Sequence, residues 1–177
     1  KDGTTLTDTS ADEIERKHSI SLGLGYAEWM DCKLNLLDTP GFLDFYGEVA
    51  SALSVADAAV VVLSGTSGVE VGTELAWNFC DDQNNLPRFV VINKLDRDNA
   101  SFEKAYASIE ELANQSGKRL VKVQIPMGEK ANFKGVLDLI HMKAYAGDGK
   151  TALLQHLAGR FGVNHHQSAN RIWEATT

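Results

Sequence analysis

The sequence predicts an α/β fold with a mostly parallel sheet flanked by helices, on three observations. Apolar runs of strand length alternate with stretches of helical periodicity along most of the chain. One run, Ala58-Ala59-Val60-Val61-Val62-Leu63, is apolar on both faces, as a parallel strand covered on both sides should be. Two polar tetrapeptides, Asp38-Thr39-Pro40-Gly41 and Asn93-Lys94-Leu95-Asp96, each follow a strand-like run. Open α/β sheets bind ligands outside the carboxyl ends of their strands, so both are expected to face one pocket.

The elements follow in order. Residues 1–18 are polar and turn-rich, and Ser19 to Tyr26 then alternates with a period of two, a strand whose glycines suggest an edge. Trp29 to Cys32 reads as a turn and Lys33 to Leu37 as the next strand. Phe45, Val49, Ala52, Leu53 and Ala56 have helical spacing, predicting a helix over Phe45 to Val55. The Ala58–Leu63 strand and a Ser64–Gly68 loop lead to a helix over Val71 to Asn84, with Leu75 and Phe79 on its apolar face. A strand at Phe89 to Ile92 precedes a helix near Ser101 to Gln115, with Ser101 as N-cap and Gly117 as C-terminal cap. Val121 to Pro126 alternates again as a strand, so the pattern is that of an α/β sheet with crossover helices. Asn132 to Leu139 looks like the start of a smaller appended element, and Leu153 to Phe161 reads as a weak helix before a stretch without period.

The tetrapeptides carry chemistry. Asp38 at a strand end suits a magnesium ion held through water, Pro40 fixes the turn, and Gly41 offers a backbone N–H that a γ-phosphate can approach closely. A plain strand-to-helix turn with Asp as cap would leave the same string. In Asn93-Lys94-Leu95-Asp96, the Asp96 carboxylate can accept from the N1 and N2 donors of guanine together, a pair that adenine lacks. Asn93 would tie neighbouring loops and the Lys94 stem would cover the base; a solvated turn is the alternative. Ser19, after Glu15-Arg16-Lys17-His18, could bring a hydroxyl to magnesium from a segment that orders on the γ-phosphate, or be an ordinary serine at a strand start.

Bulk properties bound the class. The 177 residues, 44% hydrophobic and 23% charged, suit one domain plus an insertion. No apolar run approaches the ~20 residues a bilayer span needs, and Lys1-Asp2-Gly3-Thr4 opens no signal peptide. Cys32 and Cys80 are too few for a disulfide framework or zinc site and are expected to be reduced and partly buried, which makes the cytoplasm the default compartment. A formal charge of -7 gives no nucleic-acid footprint in this segment.

The strings Glu15-Arg16-Lys17-His18-Ser19-Ile20-Ser21, Asp38–Gly41, Gly68-Val69, Pro87-Arg88, Asn93–Arg97 and Val123-Gln124-Ile125-Pro126-Met127-Gly128 resemble the G domain of translational GTPases, specifically the elongation factor G and elongation-factor-G-like branch. The resemblance covers about residues 3–150. It implies a P-loop-NTPase-like fold, GTP or GDP with Mg2+, GTP binding by Asp38, Thr39, Pro40, Gly41, Asn93, Lys94 and Asp96, and magnesium at Ser19 and Asp38. It also implies a role on the ribosome in protein synthesis through the full-length parent. The boundaries it suggests are 1–126 for a partial G domain, 127–150 for the start of its insertion and 151–177 for a tail.

Three departures shape the expectation. Phe42 stands where most translational GTPases carry a histidine that positions the attacking water, so no catalytic residue is assigned. Hydrolysis is expected to be slow or differently assisted, and slower than in a Phe42→His variant of the complete protein. Ser19 replaces the usual threonine. The phosphate loop is expected before residue 1, so the chain as given should bind GTP and GDP weakly, lacking the lysine and the cradle of N–H groups. Two other readings stay open: a non-catalytic binding module on a GTPase fold, and a circularly permuted GTPase with its phosphate loop at Ala144 to Thr151, where Gly147-Asp148-Gly149-Lys150 otherwise reads as a hairpin tip. Losing a first strand and helix should leave apolar sheet surface exposed.

Overall fold

The computed structural model describes residues 5–83, 85–147 and 151–153. The chain divides into two compact units, Lys1–Val61 with Glu70–Val91, and Val62–Val69 with Ile92–Thr177. Residues 154–177 of the expected tail, and Asp148, Gly149 and Lys150 of the permuted reading, lie outside the described residues.

In the first unit, residues 1–18 are not turns alone: Ala11–Arg16 forms a short helix, α1. Its start is a capping box, with the Ser10 hydroxyl accepting the Glu13 N–H and the Glu13 carboxylate accepting the Ser10 N–H. The strand expected from Ser19 begins only at Gly23, as β1 (Gly23–Trp29). The N–H groups of Ile20 and Ser21 donate to Glu13, at 2.9 and 3.1 Å, and that of Leu22 to Glu48 at 2.8 Å. Donors held by side chains are not available to a neighbouring strand. β1 pairs antiparallel with β2 (Cys32–Asp38) through the two-residue turn Met30-Asp31, both at positive φ as tight hairpins require.

After a single 3-10 turn at Leu43–Phe45 comes α2 (Tyr46–Leu53), narrower than expected. The parallel pair is β3 (Ala59–Ser64) and β4 (Arg88–Asn93), joined through α3 (Val71–Asp82). The Ala59 N–H donates to Pro87 O and the Gly65 N–H to Asn93 O, the same sequence offset at both ends, as parallel strands give. α3 turns Trp77 and Cys80 inward, whereas Leu75 remains 40% exposed. Arg88 sets that orientation: its guanidinium stacks 4.5 Å from the Trp77 ring centroid and bonds Trp77 O and Asp81 Oδ1 at 2.9 and 2.6 Å. The indole and Asp81 sit on one helix face, so gripping both turns that face to β4. Cys80 then joins Ala59 and Leu86, with Leu53 and Ala56 packed around them. Burial pushes the Cys80 thiol above its ordinary pKa, while Cys32, expected to be partly buried, is exposed. The two-sided burial expected for β3 is also corrected. Ala59, Val61 and Leu63 are buried, yet Val60 and Val62 are 63% and 60% exposed.

In the second unit, α4 (Phe102–Gln115) buries Phe102, Ala105, Ile109 and Ala113, a single stripe at helical spacing. It ends as expected, with Gly117 at φ +70° and the Lys118 N–H reaching back to Ala113 O at 2.8 Å. Its start differs: Ser101 holds the N-cap position without a side-chain bond, and the Phe102 N–H donates to Glu129 at 2.5 Å. A carboxylate supplied from a distant turn favours the helix N-terminus as a local cap would.

The strand expected at Val121 to Pro126 is β5 (Gln124–Met127), and it does not extend a parallel sheet. It heads an antiparallel meander with β6 (Gly135–Asp138), β7 (Lys143–Ala146) and β8 (Thr151–Leu153). The connections before β6 and β7 are too short for the dozen or more residues a parallel crossover needs. Leu137 and Ala144 pack with Ile125, Met127 and Met142 to hold this appended element. The antiparallel pairing of β7 with β8 also corrects two expectations. Leu153, the first residue of the expected helix, lies in a strand, and Thr151 opens that same strand where a phosphate loop would lead into a helix.

Candidate functional site

The predicted residues fall into both units. In the first, Asp38 ends β2 and is exposed, Pro40 is buried, and Gly41 is exposed at the start of the loop to α2. Burying the proline pins the turn while its neighbours stay accessible. A Cβ built on Gly41 meets nothing within 4 Å, and its φ is ordinary. Neither backbone conformation nor packing therefore requires glycine at Gly41; open space beside an exposed N–H is what an approaching anion requires.

Asp38 and Ser19, the two expected magnesium ligands, are brought against consecutive residues. The Thr7 hydroxyl donates to Asp38 Oδ2 at 2.5 Å, and the Ser19 hydroxyl donates to Asp8 Oδ1 at 2.6 Å. Thr7 and Asp8 were not expected in the site, because residues 1–18 show no periodicity and only the fold brings them beside Asp38 and Ser19. The four groups offer oxygen alone, which fits magnesium. No cluster of three or more His, Cys, Asp or Glu side chains suited to a metal occurs among the described residues.

Glu13 holds this segment. Its carboxylate accepts from the Ile20 and Ser21 N–H groups and from Ser10, which lowers its pKa to about 2. A depressed carboxylate stabilises the fold above its unfolded pKa and loses that contribution as pH falls through the folded one. The Ile20 and Ser21 amides are thus expected to stay protected from hydrogen exchange near neutrality and to lose protection between about pH 4.5 and about 2. NMR exchange measurements on a Glu13→Gln variant should show the same loss at pH 7.

In the second unit, Asn93-Lys94-Leu95-Asp96 leaves β4 as a supported loop. The Asn93 carbonyl accepts the Gly65 N–H at 2.7 Å and its side chain accepts the Lys94 N–H at 2.8 Å. Leu95 is buried with Ala100 and Phe102, and its carbonyl accepts the Lys130 N–H. This anchoring leaves Asn93, Lys94 and Asp96 exposed. An open hollow of about 450 Å³ is lined by Lys94 together with Thr66, Arg97, Asp98 and Asn99. Asp96 borders that hollow in sequence without lining it. Thr66 and Asp98 escaped the sequence reading, since no local pattern links the Ser64–Gly68 loop to the Asn93 loop. The link is Gly65, where a Cβ would lie 2.8 Å from Leu95 Cδ2 and 3.1 Å from Asn93 O. Gly65→Val is expected to destabilise the fold by about 1–3 kcal/mol through overpacking, read as a lower urea midpoint.

Comparison with known proteins gives a consistent result. The family described as elongation factor Tu GTP binding domain matches residues 1–161. Elongation factor G of Ureaplasma parvum serovar 3 is 46% identical over 149 residues, covering 84% of this chain and 21% of that protein. Elongation factor G of Gluconobacter oxydans is 39% identical over 148 residues, with the same coverage of both. A crystal structure of a Thermus thermophilus protein superposes with a TM-score of 0.78 at 31% identity, covering 98% of this chain and 26% of that one. The chain spans about a fifth of the length of the curated relatives it matches.

Proposed function

The chain belongs to the elongation factor Tu GTP-binding domain family, and from that premise we propose that it serves an elongation-factor-G-like GTPase that hydrolyses GTP on the ribosome during protein synthesis. The observation that carries the reading is the anchored loop after β4, which buries Leu95 and leaves Asn93, Lys94 and Asp96 exposed, with Lys94 lining an open hollow of about 450 Å³. Asp96 takes the N1 and N2 donors of guanine, Lys94 covers the base and Asn93 braces the loop. Asp38, Thr39, Pro40 and Gly41 attend the phosphate end, with Asp38 and Ser19 as protein oxygens for Mg2+. Magnesium, when bound, would neutralise phosphate charge; the chain's part is to offer these oxygens and the Gly41 N–H.

Residues 1–126 are assigned to the G domain and 127–150 to the start of its insertion. The cytoplasm is the compartment that suits a ribosomal factor, and among the described residues no helix is long and apolar enough to cross a membrane. A second reading, a binding module without catalysis, draws on Phe42, which is 55% exposed beside Gly41 and offers no hydrogen bond. Titrating the complete protein with GTP, ATP and GDP in magnesium, then assaying phosphate release with ribosomes, separates the two. Guanine-selective binding with ribosome-stimulated release is expected. Binding without release would favour the module, and no preference for guanine would overturn both.

A further inference from the structure

We propose that His18 holds the attacking water for GTP hydrolysis, beside a Phe42 that offers it no hydrogen bond; the assignment rests on the GTPase reading above. The His18 ring lies against that of Phe42, with centroids 4.7 Å apart and planes tilted by 58°. Phe42 directly follows Gly41, whose N–H is assigned to the γ-phosphate, and His18 directly precedes Ser19, assigned to magnesium. The ring contact thus joins the residue before the assigned magnesium ligand to the residue after the assigned γ-phosphate donor.

A second observation concerns which nitrogen is available. His18 Nδ1 lies 3.2 Å from the Ser19 carbonyl oxygen. A carbonyl only accepts, so Nδ1 is the donor in this contact, and in that tautomer Nε2 holds the unshared pair that can accept a water O–H. The ring is half-buried, and Phe42 packs against it, which limits its rotation.

In the step itself, the water oxygen forms a bond to the γ-phosphorus while the bond to the bridging oxygen breaks, leaving its electron pair on GDP. One water proton stays on the attacking oxygen and the other ends on a phosphate oxygen, giving GDP and dihydrogen phosphate. His18 gains no net proton; its contribution is orientation.

The experiment is single-turnover GTP hydrolysis with ribosomes by the complete protein that carries this segment, with GTP affinity measured alongside. His18→Phe is expected to lower the hydrolysis rate by about a hundredfold, the cost of a misplaced reactant, with Kd for GTP unchanged. His18→Gln, whose amide oxygen still accepts, should regain about tenfold of that loss. Phe42→His placed in the His18→Phe background should also regain activity. A His18→Phe protein that hydrolyses GTP at the wild-type rate, or that loses affinity and rate together without rescue by Gln, overturns the assignment of His18 alone. A wild-type protein that binds no guanine nucleotide overturns the GTPase reading beneath it.

Discussion

Asp96→Asn is expected to weaken GTP binding by about a hundredfold to a thousandfold in Kd while leaving the fold intact. A carboxylate accepts two hydrogen bonds from guanine, and bonds to a charged group contribute about 1.5–3 kcal/mol each. The amide that replaces it presents one acceptor and one donor, so one guanine N–H meets another N–H. Xanthine carries a carbonyl where guanine carries the amine, and it matches the amide's acceptor-donor pair. The variant should therefore recover affinity for xanthosine triphosphate. Because Asp96 is exposed, unfolding free energy should change by no more than about 0.5 kcal/mol. Titration of the complete protein with both nucleotides reads the switch. Equal loss for both would mean that Asp96 supports the loop without touching the base.

Gly41→Ala should separate folding from catalysis even more sharply. The added methyl meets nothing within 4 Å and the backbone there is ordinary, so the structure tolerates it. Restricting the unfolded chain should even stabilise the protein by about 0.4–1 kcal/mol. With a γ-phosphate in place, the same methyl would push the N–H and the phosphate apart, and a displacement of about 1 Å can cost roughly a hundredfold in rate. The expected result is a higher melting temperature with GTP hydrolysis reduced about a hundredfold. Unchanged hydrolysis would show that the γ-phosphate does not approach Gly41.

These expectations rest on side chains of two kinds. That Asp38 and Asn93 end strands, with Gly41, Lys94 and Asp96 in the loops that follow, was legible from the apolar runs before them. Thr7, Asp8 and Glu13 were not. Their partners lie up to 31 residues away, as for Thr7 with Asp38, and nothing in a polar stretch announces such pairings. The capping box at Ser10 and Glu13 was in the sequence, but its glutamate reaches beyond its own helix to Ile20 and Ser21. That second duty shortened the strand expected from Ser19.

The order of strands and helices from Cys32 to Gln115, the parallel pair at its centre, the Gly117 cap and the placing of two polar tetrapeptides after strands were determined by local pattern, because periodicity and turn chemistry act within a few residues. The antiparallel meander beyond Gln124, the face that α3 buries, the partners of Ser19 and Asp38, and the contact between His18 and Phe42 were decided only by tertiary structure. Each of those depends on which surfaces meet in space. Short connections forced the meander, and Arg88 gripping Trp77 and Asp81 turned α3. Folding of the N-terminal segment brought Thr7 and Asp8 to oxygens that the sequence had already marked.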